Sequence, residues 1–159
     1  MWTESLTERI ERAKPLDSVG RKLSLAFANV VRPGRTKDLL AGTWLGQPAH
    51  PMLTDLPIGA WTSALILDLV GGRQARGAAD ALVGVGVLTA VPTAVTGLSD
   101  LADVVNPDER SIGTAHALGN LTAVVLYGGS YLARRRGRRQ AGVRLAMLGA
   151  AVVAGAGFL

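Results

Sequence analysis

The sequence predicts an all-α fold: a four-transmembrane-helix bundle preceded by an amphipathic N-terminal helix lying at the membrane interface. Three observations carry this. Nearly half of the 159 residues are apolar (48%) and only 18% are charged. The apolar residues gather into four long stretches, with no strand-like segment between them. The chain also has 20 glycines and few aromatics, the composition of membrane helices that approach closely on small residues.

The elements follow in order. Residues 1–38 form an amphipathic segment. Ser5 and Glu8 have the spacing of a capping box, and Leu6, Ile10 and Ala13 recur at helical intervals. Pro15 breaks or restarts the helix. Leu16, Val19, Leu23, Phe27 and Val30 then form an apolar stripe opposite Asp17, Arg21, Lys22 and Asn29, ending at Arg32-Pro33-Gly34. The uncharged run from Leu23 to Val31 is too short to cross a hydrocarbon layer. This reads as a helix lying on the membrane surface; packing against a protein partner would produce the same pattern.

Residues 40–159 form the membrane domain, with spans expected at about 51–70, 81–99, 112–133 and 145–159. The first three would reach about 28–33 Å, matching a hydrocarbon layer of roughly 30 Å. The fourth would reach only about 22 Å, which points to a thinned bilayer or to a longer chain whose C-terminal part is missing.

Charge sets the expected orientation. Of 17 basic residues, six lie between Arg134 and Arg144 and two more are Arg73 and Arg76. The loop at 100–111 carries Asp100, Asp103, Asp108 and Glu109 against Arg110 alone. Arginine-rich loops face the cytoplasm, so both chain ends are expected outside. Arg32, Arg35 and Lys37 oppose this, but four basic residues outside are outweighed by eight inside. The net charge of +5 is thus explained by a bilayer partner rather than by nucleic acid. The absence of cysteine excludes disulfides, thiolate metal sites and cysteine nucleophiles.

The polar residues of three spans fall near the outer face. His50 and Asp55 open the first span, with Pro51 as an early helical residue. Pro57 then frees the carbonyl of Leu53, which needs a donor such as an imidazole or a threonine hydroxyl. In the second span Thr89, Thr93, Thr96, Asp100 and Asp103 step along one helical face. In the third, Gly113, His116, Asn120, Tyr127 and Tyr131 do the same. Lipid cannot hydrogen-bond such groups, so these stripes are expected to turn inward and enclose a polar pocket.

Several uses of that pocket stay open. His50, His116, Asp55 and Asn120 could bind a haem b, with the two imidazoles as axial ligands. The same residues could serve a quinone or a proton path. His50, His116 and Asp100 could hold a divalent metal. The plainest use is structural: His50 bonded to backbone, with Asn120, Thr93, Thr96 and the kink at Pro57 setting helix packing. No hydrolase motif and no nucleotide-binding glycine loop is present, so the chain does not read as an enzyme by itself.

The run Gly46-x-Pro48-x-His50-Pro51-x-Leu53-x-x-Leu56-Pro57-Ile58-Gly59, followed by Gly113-x-x-His116 and Asn120, resembles a bacterial membrane family catalogued as domain of unknown function 2231. The likeness covers about residues 40–159. It implies a four-helix domain of the cytoplasmic membrane with no established activity. Relatives are often joined at the C-terminus to a Rieske-type iron–sulfur domain or encoded with redox proteins, which implies an iron–sulfur or cytochrome partner. Gln47 stands where many relatives have a further histidine, leaving two imidazoles here. The resulting expectation is a redox-associated membrane anchor. The alternatives are a purely structural membrane subunit and a small-solute or ion transporter, for which the fourth span offers no polar residue after Arg144.

Overall fold

The computed structural model describes residues 2–158, and every regular element among them is helical. The order is α1 (Trp2–Glu11), α2 (Lys14–Val30), α3 (Arg35–Ala41), α4 (Ala49–Val70), α5 (Arg76–Asp103), α6 (Pro107–Arg135) and α7 (Arg139–Ala156), with a single 3-10 turn at Thr43–Leu45. The all-α expectation holds.

Several boundaries differ from those expected. α1 is already under way at Trp2, so Ser5 does not start it; the Ser5 side chain lies outside the described residues. α4 begins at Ala49 with Pro48 at its cap. His50 is therefore inside the first turn, and Pro51 still costs no hydrogen bond because first-turn N–H groups have no intrahelical acceptor. α6 starts at Pro107, five residues before the expected span. The Asn106 side chain accepts from the Asp108 N–H at 2.9 Å and caps it. α7 starts at Arg139 and ends at Ala156; Leu159, the last residue of the expected fourth span, lies outside the described residues.

Only α4 and α5 are long and apolar enough, taken alone, to qualify as membrane spans. α6 is long enough, but His116, Asn120, Ser130 and two tyrosines dilute its apolar content. α7 has 18 residues and opens with Arg139 and Gln140. Four independent crossings are thus not established helix by helix.

The bundle is α4 against α5 and α6 against α7, with the two hairpins packed together. Its centre is aromatic. Trp61 of α4 stacks on Tyr127 of α6, ring centroids 4.0 Å apart and planes 4° from parallel. Small residues make room for this layer. A Cβ at Gly86 would stand 2.2 Å from Trp61 Nε1, and one at Gly149 would stand 2.8 Å from the Tyr127 ring. Val83, Ala64, Ala90 and Ala146 close the layer.

The surface is inverted relative to a soluble protein. Thr93, Thr96, Ser99, Ser111, Thr114, Ser130 and Arg134 are buried, while Leu56, Ile66, Leu88, Val91, Leu121, Val125, Met147 and Leu148 are exposed. Exposed apolar patches of this extent need a lipid or protein neighbour.

The N-terminal helices close one end of the bundle. α2 packs on α5 and α6: Ser24 donates to the Leu101 carbonyl at 3.2 Å and Arg110 pairs with Asp17 at 2.9 Å. From α3, Lys37 reaches the Ser99 carbonyl (2.6 Å) and Asp103 (2.8 Å).

Candidate functional site

At the end covered by α2 and α3, four helices contribute polar groups to one cluster. The kink residue organises it. Pro57 has no N–H, so the Leu53 carbonyl loses its helical donor. The Thr93 hydroxyl of α5 supplies a replacement at 3.1 Å, shared with the Thr89 carbonyl at 2.9 Å. This is the donor type the sequence calls for at that carbonyl.

His50 lies one turn nearer the helix start. Its Nδ1–H donates to the Thr93 carbonyl at 2.9 Å, which also accepts the Thr96 hydroxyl at 2.9 Å. The imidazole rests on Gly97, where a Cβ would come within 2.8 Å of Cε1. Any side chain there would displace the ring.

His116 of α6 makes a parallel arrangement with α7. Its Nδ1–H donates to the Ala156 carbonyl at 2.8 Å, and Nε2 accepts from the Asn120 amide at 2.8 Å. The close approach of the two helices depends on Gly119, where a Cβ would meet the Ala156 methyl at 2.8 Å. The His50 and His116 rings sit edge to face, centroids 6.3 Å apart at 88°. Carbonyls can only accept, so both imidazoles donate through Nδ1.

The structure therefore brings together His50, His116, Asn120, Thr93, Thr96 and Pro57. It leaves out Asp55, which is exposed on the outer side of α4 and bonds neither histidine. Asp100 is partly buried at the end of α5, within electrostatic reach of His50, Lys37 and Asp103. Among the described residues no three His, Asp or Glu side chains converge as a metal-binding group would.

Sequence reasoning missed the opposite end. Asp68 of α4 and Asp80 of α5 face Arg134 of α6 and Arg139 of α7. Arg134 grips Asp68 through two nitrogens, at 2.5 and 3.1 Å, and Asp80 at 2.9 Å. Arg139 reaches Asp68 at 2.5 Å and Asp80 at 2.6 Å. The side chains of Arg134 and Asp68 have no exposed surface. Ser130 completes the set by accepting from Arg134 Nε (3.1 Å) and donating to the Gly142 carbonyl (2.7 Å). A Cβ at Gly142 would meet the Arg134 side chain at 2.6 Å. The available signal was Asp68 itself, an acid near the end of an apolar run, which requires a cation within reach when buried. Counting Arg134 and Arg139 only as loop charges concealed it.

A family model described as "Predicted membrane protein (DUF2231)" matches residues 46–159. The chain belongs to this DUF2231 family. No curated protein and no solved structure matches the chain. The DUF2231 match begins at Gly46, so it includes both polar clusters and all four bundle helices and leaves α1–α3 outside.

Proposed function

We propose that this DUF2231 protein is a four-span membrane module whose outer polar cluster is, first, a lock on helix packing. The supporting observation is hydrogen-bond satisfaction. Each imidazole bonds a main-chain carbonyl of a neighbouring helix, α4 to α5 and α6 to α7, and both nitrogens of His116 are in use. Such bonds between helices are worth about 0.6–1.7 kcal/mol each in a bilayer. A module of this kind anchors a partner at the membrane rather than performing chemistry itself.

Four crossings are supported by packing. α6 and α7 run beside α4 and α5 from one polar cluster to the other, and the outward residues of all four are mostly apolar, with Asp55, Thr62 and Ser63 of α4 and Thr122 of α6 as exceptions between their ends. A bilayer that accepts α4 and α5 must therefore accommodate their partners, whose polar atoms are turned inward. Orientation is supported by the unpaired charge. Arg134 and Arg139 are neutralised at one end, leaving Arg73, Arg76, Arg135, Arg136, Arg138 and Arg144; at the other, Arg12, Lys37 and Arg110 are paired, leaving Arg32 and Arg35 close to α4 and Arg9, Lys14, Arg21 and Lys22 further out on α1 and α2. Counted close to the spans, six unpaired basic residues against two favour the loop end as the cytoplasmic one, with both termini outside.

A second reading is favoured by one geometric fact. A histidine with its Nδ1–H tied to a carbonyl has the tautomer and fixed ring that ligating imidazoles use. Here two such rings stand 6.3 Å apart. Among the described residues His50 Nε2 has no hydrogen-bond partner, and His116 Nε2 would be freed by a swing of Asn120. On this reading the module also carries a haem b or a quinone for an iron–sulfur or cytochrome partner.

One experiment separates the two. The full chain is purified in mild detergent, as wild type and as His50→Ala and His116→Ala, and followed by absorption spectrum and thermal unfolding. The lock predicts a colourless protein with reduced thermal stability in both variants. A Soret band lost in both variants would replace the lock by the haem reading. Unchanged stability in both variants would refute the lock.

A further inference from the structure

Beyond that reading, we propose that the cytoplasmic end carries a binding site for a phosphate group, filled by the headgroup of an anionic phospholipid. A cleft of about 340 Å³ opens there, lined by Arg76 of α5 and by Arg139, Gln140, Val143 and Arg144 of α7. It lies beside the buried ion pairs and shares Arg139 with them.

Charge accounting gives the cleft its sign. The Arg139 guanidinium is satisfied by Asp68 and Asp80. Arg76 and Arg144 are exposed, and neither has an acidic partner among the described residues. The cleft therefore holds two uncompensated guanidinium groups on a rigid frame, because Arg139 ties α7 to α4 and α5. Arginine forks match phosphate oxygens in pairs. The Gln140 amide adds a neutral donor, and Val143 gives an apolar wall.

Depth argues for a lipid as the source. The cleft stands where α5 and α7 begin, at the edge of the exposed apolar shell, which is headgroup level if the helices cross the bilayer. Basic pockets between spans at the cytoplasmic face take anionic headgroups in this way. The lipid source rests on the four-span reading; the phosphate chemistry does not.

The test uses the full chain in neutral detergent and measures binding by native mass spectrometry. Phosphatidylglycerol, phosphatidylcholine and inorganic phosphate are titrated separately into wild type, the double variant Arg76→Gln/Arg144→Gln and the control Arg135→Gln/Arg136→Gln. Phosphatidylglycerol should bind wild type and control at least tenfold more tightly than phosphatidylcholine. The Arg76/Arg144 variant should lose about fivefold per arginine while keeping its thermal stability, since neither residue holds an ion pair. Equal binding of the two lipids, or equal losses in both double variants, would overturn the site. Inorganic phosphate matching phosphatidylglycerol on wild type, with the same loss in the Arg76/Arg144 variant, would overturn the lipid source alone. These outcomes are read in detergent, so a failure of the four-span topology is distinguishable from a failure of the cleft.

Discussion

The two ends of the bundle solve one problem with different chemistry. At the arginine end, four helices are tied by two aspartates and two arginines whose charges cancel locally. At the histidine end, the same four helices contribute imidazoles and hydroxyls that bond main-chain carbonyls, with an amide bonding one imidazole. The difference lies in what a single loss leaves behind. Removing one ion-pair partner leaves buried charges out of balance, whereas removing an imidazole leaves only a neutral carbonyl: that of Thr93 keeps the Thr96 hydroxyl, and that of Ala156, at the end of α7, loses its His116 donor. Charge makes the tighter and more brittle lock; the neutral cluster tolerates rearrangement, which suits it to any role that needs access.

The comparison can be broken most sharply at Arg134. Arg134→Ala should destabilise the protein by about 3–5 kcal/mol, because Asp68 would stay buried without its principal partner. Asp68→Asn should approach this. Chemical unfolding in detergent checks both, and a loss below that of His50→Ala would invert the ranking. Next in size is Gly97→Ala, which pushes a methyl into the His50 ring and should break its bond to Thr93. A destabilisation of roughly 1–3 kcal/mol is expected for such overpacking. If His50→Ala in the Gly97→Ala background costs as much as it does in wild type, the ring does not depend on that glycine.

Thr93→Val should cost about 1 kcal/mol, by removing the donor to the Leu53 carbonyl. Its effect should shrink when Pro57→Ala restores the helical N–H, and a double-mutant cycle between the two positions reads that coupling. Smallest is Lys37→Met. Its ion pair with the largely exposed Asp103 should contribute under about 1 kcal/mol, so thermal unfolding should shift only slightly.

The fold class and the composition of the histidine cluster were legible because membrane burial writes itself as periodicity. Polar residues three and four apart on an apolar helix can only face inward, which placed Thr93, Thr96, His116 and Asn120 on the faces where they are found. The need of the Leu53 carbonyl for a donor followed from Pro57 alone. Asp55 was not legible: one residue's phase around a kinked helix start decides whether a side chain faces in or out, and Asp55 faces out. The ion-pair end was obscured because arginines near a loop have two uses, marking the cytoplasmic side and neutralising a buried acid. Sequence order does not distinguish Arg134, fully buried, from Arg135 beside it, which is exposed.

The central claim, a module of four crossings locked at both ends, is tested most directly by topology. The chain has no cysteine, so single cysteines at Val105, Phe158, Arg73 and Arg136 can be probed in sealed, oriented vesicles with a membrane-impermeant maleimide. The account predicts that Val105→Cys and Phe158→Cys react from the periplasmic side, and Arg73→Cys and Arg136→Cys only from the cytoplasmic side. Val105 and Phe158 labelled from opposite sides would show that α6 and α7 do not both cross, contradicting it.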